Sequence, residues 1–93
     1  MINEYEKYLI SIGYKQTTPS GHPSTVYQYL KAIRNVCDEE GISIIGLKEN
    51  IGDIVMKYDI GGEKEGIGAK SHKTVINALK RFEEFLKEKQ LTL

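Results

Sequence analysis

The chain has one cysteine, two histidines and no apolar run of membrane-spanning length, and each shortage removes a class of function. Cys37 has no second cysteine to pair with, so no internal disulfide can form. It falls in the apolar stripe of a predicted helix, where it reads as a small buried thiol. One thiol with His22 and His72 does not complete a four-ligand zinc site. A membrane helix needs about 20 consecutive apolar residues, and the opening Met-Ile-Asn-Glu-Tyr-Glu lacks the basic start and apolar stretch of a signal peptide. The expectation is a cytoplasmic chain with no membrane partner.

Catalytic signatures are missing too. No Cys-x-x-Cys, His-Glu-x-x-His or Gly-x-Ser-x-Gly occurs. Residues 59–70 hold four of the nine glycines, but Gly61, Gly62, Gly66 and Gly68 fit neither phosphate-loop nor dinucleotide spacing, so the stretch reads as a flexible loop. Tyr5, Tyr8, Tyr29 and Tyr58 fall on apolar stripes with no arginine–histidine cluster to activate a phenol. The adjacent acids Asp38-Glu39-Glu40 and Glu83-Glu84 are expected on solvated helix exteriors. The expectation is a non-enzyme with no cofactor, no metal and no small-molecule substrate.

What is present is one globular domain of 93 residues, 40% hydrophobic and 28% charged. Its 13 Lys+Arg balance 13 Asp+Glu, but the balance is uneven along the chain: −2 over 1–6, +4 over 7–37, −5 over 38–65, +4 over 66–82 and −1 over 83–93. The two positive segments carry one pattern written twice, 49 residues apart: Thr25-Val26-x-x-x-Leu30-Lys31-x-Ile33 and Thr74-Val75-x-x-x-Leu79-Lys80-x-Phe82.

Apolar periodicity predicts four helices. The first covers 3–12, with Tyr5, Tyr8, Leu9 and Ile12 inward and Gly13 ending it; a polar loop follows over 14–23. The second covers 24–40, with Ser24 as N-cap and Gly41 beyond its end. It buries Val26, Tyr29, Leu30, Ile33, Val36 and Cys37 and presents Gln28, Lys31 and Asn35 outward. Asp38, Glu39 and Glu40 oppose its dipole. Residues 42–46 read as a buried connector. The third helix covers 47–58, with Leu47, Ile51, Ile54, Val55 and Tyr58 inward and Gly52 weakening it by about 1 kcal/mol. The fourth covers 71–89, capped by Ser71, with Val75, Leu79, Phe82 and Leu86 inward beside Ala78 and Phe85. Lys73, Asn77, Lys80 and Arg81 cover its far face. The fold class is all-α, a four-helix bundle.

If the second and fourth helices lie side by side, a neutral chain presents one basic face, the electrostatic footprint of a nucleic-acid binder. Ser24-Thr25 and Ser71 with Thr74 open these helices, where free N–H groups suit a phosphate. Gln28 with Lys31, and Asn77 with Lys80, then put an amide and a cation in register, the amide for a base edge and the cation for the backbone. Tyr27 reads as a DNA-facing aromatic, and His72, Lys73 and Arg81 complete the candidate set. Taken singly, each of these residues has an ordinary structural role, and amphipathic helices share much of this pattern; the combination carries the DNA reading.

Ser24-Thr25-Val26-x-x-Tyr29-Leu30-x-x-Ile33 and Ser71-x-x-Thr74-Val75-Ile76-Asn77-x-Leu79-x-x-Phe82-x-x-Phe85-Leu86 resemble the two DNA-facing helix motifs of the core-binding domain of tyrosine recombinases (phage integrases). The resemblance runs from Tyr5 to Lys89. It implies a SAM-like orthogonal bundle of four or five helices that clamps one side of double-stranded DNA during integration or recombination. Carry-over falls on Ser24, Thr25, Gln28, Lys31, Ser71, Lys73, Thr74, Asn77 and Lys80. The family's catalytic domain is absent, so the resemblance implies no strand cleavage or joining. The overall charge is neutral where many such domains are basic, and the 59–70 loop is longer than the family's. Met1 opens what reads as a complete small protein; an excised piece of a recombinase fits equally. The alternative is a protein–protein module from a phage or mobile element, docking its acidic 38–65 segment on a basic partner such as a recombinase.

Overall fold

Ser24 shows how closely local chemistry sets the frame: its Oγ accepts the Tyr27 N–H at 3.1 Å and starts α2 (Thr25–Glu40). Gly41, at φ 67°, ends that helix in the left-handed conformation, with Gly41 N–H bonded to Asp38 and Ile42 N–H to Cys37. Gly13 ends α1 (Ile2–Ser11) in the same manner at φ 109°. The computed structural model describes residues 1–15 and 24–91 and is all-α: α3 (Ile44–Glu49), α4 (Ile51–Tyr58), α5 (Glu65–Gly68) and α6 (Lys70–Leu91) follow. Most of the expected 14–23 loop, with His22, lies outside the described residues.

The long helices α2 and α6 share the largest interface, α1 packs across both, and α4 and α5 rest on α6. Tyr5 and Leu9 of α1 are fully buried with Val26, Ile33 and Val36 of α2 and Leu79, Phe82 and Phe85 of α6. The Tyr5 ring meets Phe82 edge-on at 5.1 Å, and its hydroxyl donates to the Ala78 carbonyl at 2.8 Å. Burial pushes that phenol far above its ordinary pKa. The apolar stripes follow the expected spacing with adjustments. Ile12 is 45% exposed because it lies past the last helical turn of α1, Tyr8, Leu30, Cys37, Ile51, Val55 and Val75 are half-buried at the edge of the core, and Ala32 and Ile76 join it.

The expected single helix over 47–58 is two. Ser43 caps α3 by accepting the Gly46 N–H at 3.1 Å, which draws part of the supposed 42–46 connector into a helix. Asn50 leaves the helical region at φ −118° and turns its side-chain amide back to the Gly46 carbonyl at 2.9 Å, so α4 starts afresh.

The glycine-rich stretch is built rather than loose. A Cβ at Gly62 would overlap the Met56 and Lys57 carbonyl oxygens, and one at Gly68 that of Tyr58. Both glycines are therefore the condition for α4, the turn after it and α5 to close on one another.

Glu40 corrects the reading of 38–40 as a solvated acidic end. Asp38 and Glu39 are exposed, but the Glu40 carboxylate is nearly buried. It accepts Lys57 at 2.7 Å, Lys64 at 2.8 Å and the Tyr58 hydroxyl at 2.9 Å. Those donors, Lys57 first, hold its pKa down at about 2. The acid that opposes the α2 dipole is stabilised by cations from α4 and the following turn.

Candidate nucleic-acid interface

Tyr27, Lys31 and Asn35 stand four residues apart on α2 and form one row along its exposed face, each step a rise of about 6 Å. The start of α6 runs alongside: Ser71, His72, Thr74 and Val75 form the opposite wall of an open groove of about 590 Å³, with Gln28 and Ala32 completing it. Among the described residues, no carboxylate lines this groove. Two other surface grooves do carry acids, Glu4 and Glu88 between α1 and α6, and Asp38 beside Arg34.

The α6 wall has an unusual backbone. Ser71, His72 and Lys73 adopt φ of 54°, 58° and 67°, three successive non-glycine residues in the left-handed region. Such a residue costs about 1–2 kcal/mol. Lys73 N–H still reaches the Ala69 carbonyl at 3.1 Å, and the Thr74 hydroxyl donates to the Ser71 carbonyl. Regular helix resumes at Thr74. Ser71 is thus no N-cap, a correction to the sequence expectation; it sits inside a left-handed turn that carries His72 to the groove.

The candidate residues separate into three groups. Tyr27, Gln28, Lys31, Ser71, His72 and Thr74 line one groove. Thr25, Lys73 and Asn77 are exposed on the same two helices without lining it. Ser24, Lys80 and Arg81 have other engagements. Ser24 is 3% exposed and its oxygen is the α2 cap, so it is closed to a phosphate. Lys80 pairs with Asp59 at 3.3 Å. Arg81 pairs with Glu84 at 2.6 Å and donates from Nε to the Tyr14 hydroxyl at 3.2 Å. That contact lowers the Tyr14 pKa and raises that of Arg81, with the Tyr14 ring 5.4 Å from Tyr29.

The basic face is therefore narrower than the segment charges imply. Lys31 on the groove and Lys70 and Lys73 at the start of α6 are exposed cations that form no ion pair among the described residues, as are Lys7, Arg34, Lys48 and Lys87 elsewhere, whereas Lys80 and Arg81 each face a carboxylate. Asn35, outside the candidate set, also lines the groove; its four-residue step from Lys31, which itself stands four residues from Tyr27, places it on the same outward row.

Among the described residues, no group of three or more His, Cys, Asp or Glu side chains is placed to hold a metal, and no helix is long and apolar enough to cross a membrane. No protein-family description, curated protein or solved structure matches the chain.

Proposed function

We propose that the chain is a DNA-binding domain akin to the core-binding domain of tyrosine recombinases. It grips double-stranded DNA chiefly by the backbone, along α2 and the first turns of α6. The observation that carries the reading is the groove between these helices, which among the described residues has no lining carboxylate and has Lys31 on its rim. Lys31, Lys70 and Lys73 supply charge to phosphates, exposed Thr25 and Asn77 supply hydrogen-bond donors, and Gln28 is the amide for a base edge. The domain would serve integration or recombination in the cytoplasm, with strand chemistry left to another domain or protein.

Anisotropy of the purified chain against a random duplex of about 25 bp, titrated from about 50 to 200 mM salt, tests this. About three to five phosphate contacts give a log–log salt slope of roughly −3 to −4.5. No binding at the lowest salt, or binding indifferent to salt, overturns the reading.

A second reading, a protein-docking module, draws on Met56 and Ile60, 72% and 76% exposed in the acidic 38–65 segment. The internal pairs of Glu39 and Glu40 with Lys57 and Lys64 reduce the acidic surface available to a basic partner. A folded chain that binds no duplex would favour this second reading.

A further inference from the structure

We propose that the groove between α2 and α6 takes an unpaired nucleotide, single-stranded or extruded from a duplex, with its base stacked on Tyr27 and its phosphate on Lys31. The inference rests on the nucleic-acid reading and adds a ligand form to it. Backbone gripping of a duplex calls for cations and small donors, not for an aromatic face held out in solvent. Tyr27 is 55% exposed, whereas Tyr5, Tyr29 and Tyr58 are buried and Tyr8 and Tyr14 half-buried. Base–aromatic stacking is the contact that single-stranded nucleic acid offers and paired DNA withholds.

The neighbours of Tyr27 supply the remaining contacts of one nucleotide. Lys31 lies one turn along for the phosphate, and Asn35 one turn further for an exposed base edge. The three fall within about 12 Å on one helix face. His72, exposed in the left-handed turn, stands on the opposite wall, so a base entering beside Tyr27 meets a side chain on each side of the open groove. The volume of about 590 Å³ lies within the range of clefts that hold small flat ligands. Its described lining holds no carboxylate, so a phosphate escapes there the repulsion it would meet from Glu4 and Glu88 or from Asp38 in the two other grooves.

The test uses the whole chain and three probes carrying 2-aminopurine: a paired duplex, the same duplex with the 2-aminopurine as a one-nucleotide bulge, and a single strand. The expected result is tighter binding of the bulged and single-stranded probes, with 2-aminopurine fluorescence quenched on binding. Tyr27→Ala should weaken the unpaired probes by roughly 5- to 150-fold, the range of one lost stack, while Tyr27→Phe keeps both affinity and quench. Circular dichroism checks that both variants fold, as an exposed side chain allows. Equal binding of all probes without quenching overturns the inference and leaves duplex binding standing; no binding of any probe takes down both. A loss in Tyr27→Phe as large as in Tyr27→Ala would assign the hydroxyl to a phosphate and overturn stacking. A preference for unpaired probes that survives Tyr27→Ala overturns the assignment to this residue.

Discussion

Glu40 at the end of α2 and Lys64, 24 residues later, meet at 2.8 Å and tie α2 to the turn that leads into α5. With Lys57 and Tyr58 on the same carboxylate, this cluster links α2 to α4 at the opposite end from the Ser24 cap.

The cluster makes stability depend on pH in one direction. The folded Glu40 carboxyl is held at about 2, below its ordinary value of 4.5. A depressed folded pKa contributes stability that is fully present above the unfolded value and is lost as pH falls through the folded one. Thermal melts should therefore show Tm dropping between pH 4.5 and about 2. Glu40→Gln should lower stability at neutral pH by about 1–3 kcal/mol and flatten that acid limb. An unchanged limb would assign the acid sensitivity elsewhere.

Two glycines should respond oppositely to alanine. Gly68→Ala places a methyl against the Tyr58 carbonyl and should destabilise by about 2–4 kcal/mol. Gly52 lies inside α4 with open space around it, so Gly52→Ala should stabilise by about 0.5–1 kcal/mol. Urea unfolding of both variants measures the pair.

The serines that open the two repeated motifs should also part company. Ser24→Ala removes a cap and should cost about 1 kcal/mol. Ser71 makes no such bond and sits at φ 54°, so Ser71→Gly should stabilise by about 0.5–1 kcal/mol, left-handed relief set against glycine's extra chain entropy. A loss in Ser71→Gly would restore Ser71 as an N-cap.

Charge reversal separates the cations that face solvent alone from those already paired. Lys31→Glu with Lys73→Glu should abolish duplex binding without unfolding the chain, and each single Lys→Ala change should shallow the salt slope by about 0.9. Arg81→Ala should act mainly on stability, through its lost bonds to Glu84 and Tyr14. A slope unmoved by the Lys31 and Lys73 changes would place the phosphate contacts on another face.

The all-α class, the course of α1 and α2, the Ser24 cap, the Gly41 stop and nearly all the core residues of α6 were legible in the sequence. Each follows from 3.6-residue periodicity or from side chains acting on backbone a few positions away. The α2 half of the groove was equally legible, because Tyr27, Gln28 and Lys31 share a helix face whatever the helix packs against. The tertiary structure alone decided what lies far apart in the chain. It moved Glu40 from solvent to a site between two lysines, drew Lys80 to Asp59 and Arg81 to Tyr14, and brought Gly68 against the Tyr58 carbonyl. It also wound Ser71, His72 and Lys73 into a left-handed turn that no local propensity favours. Periodicity reports which way a side chain points from its own helix; which charge or carbonyl it meets there depends on how the helices pack.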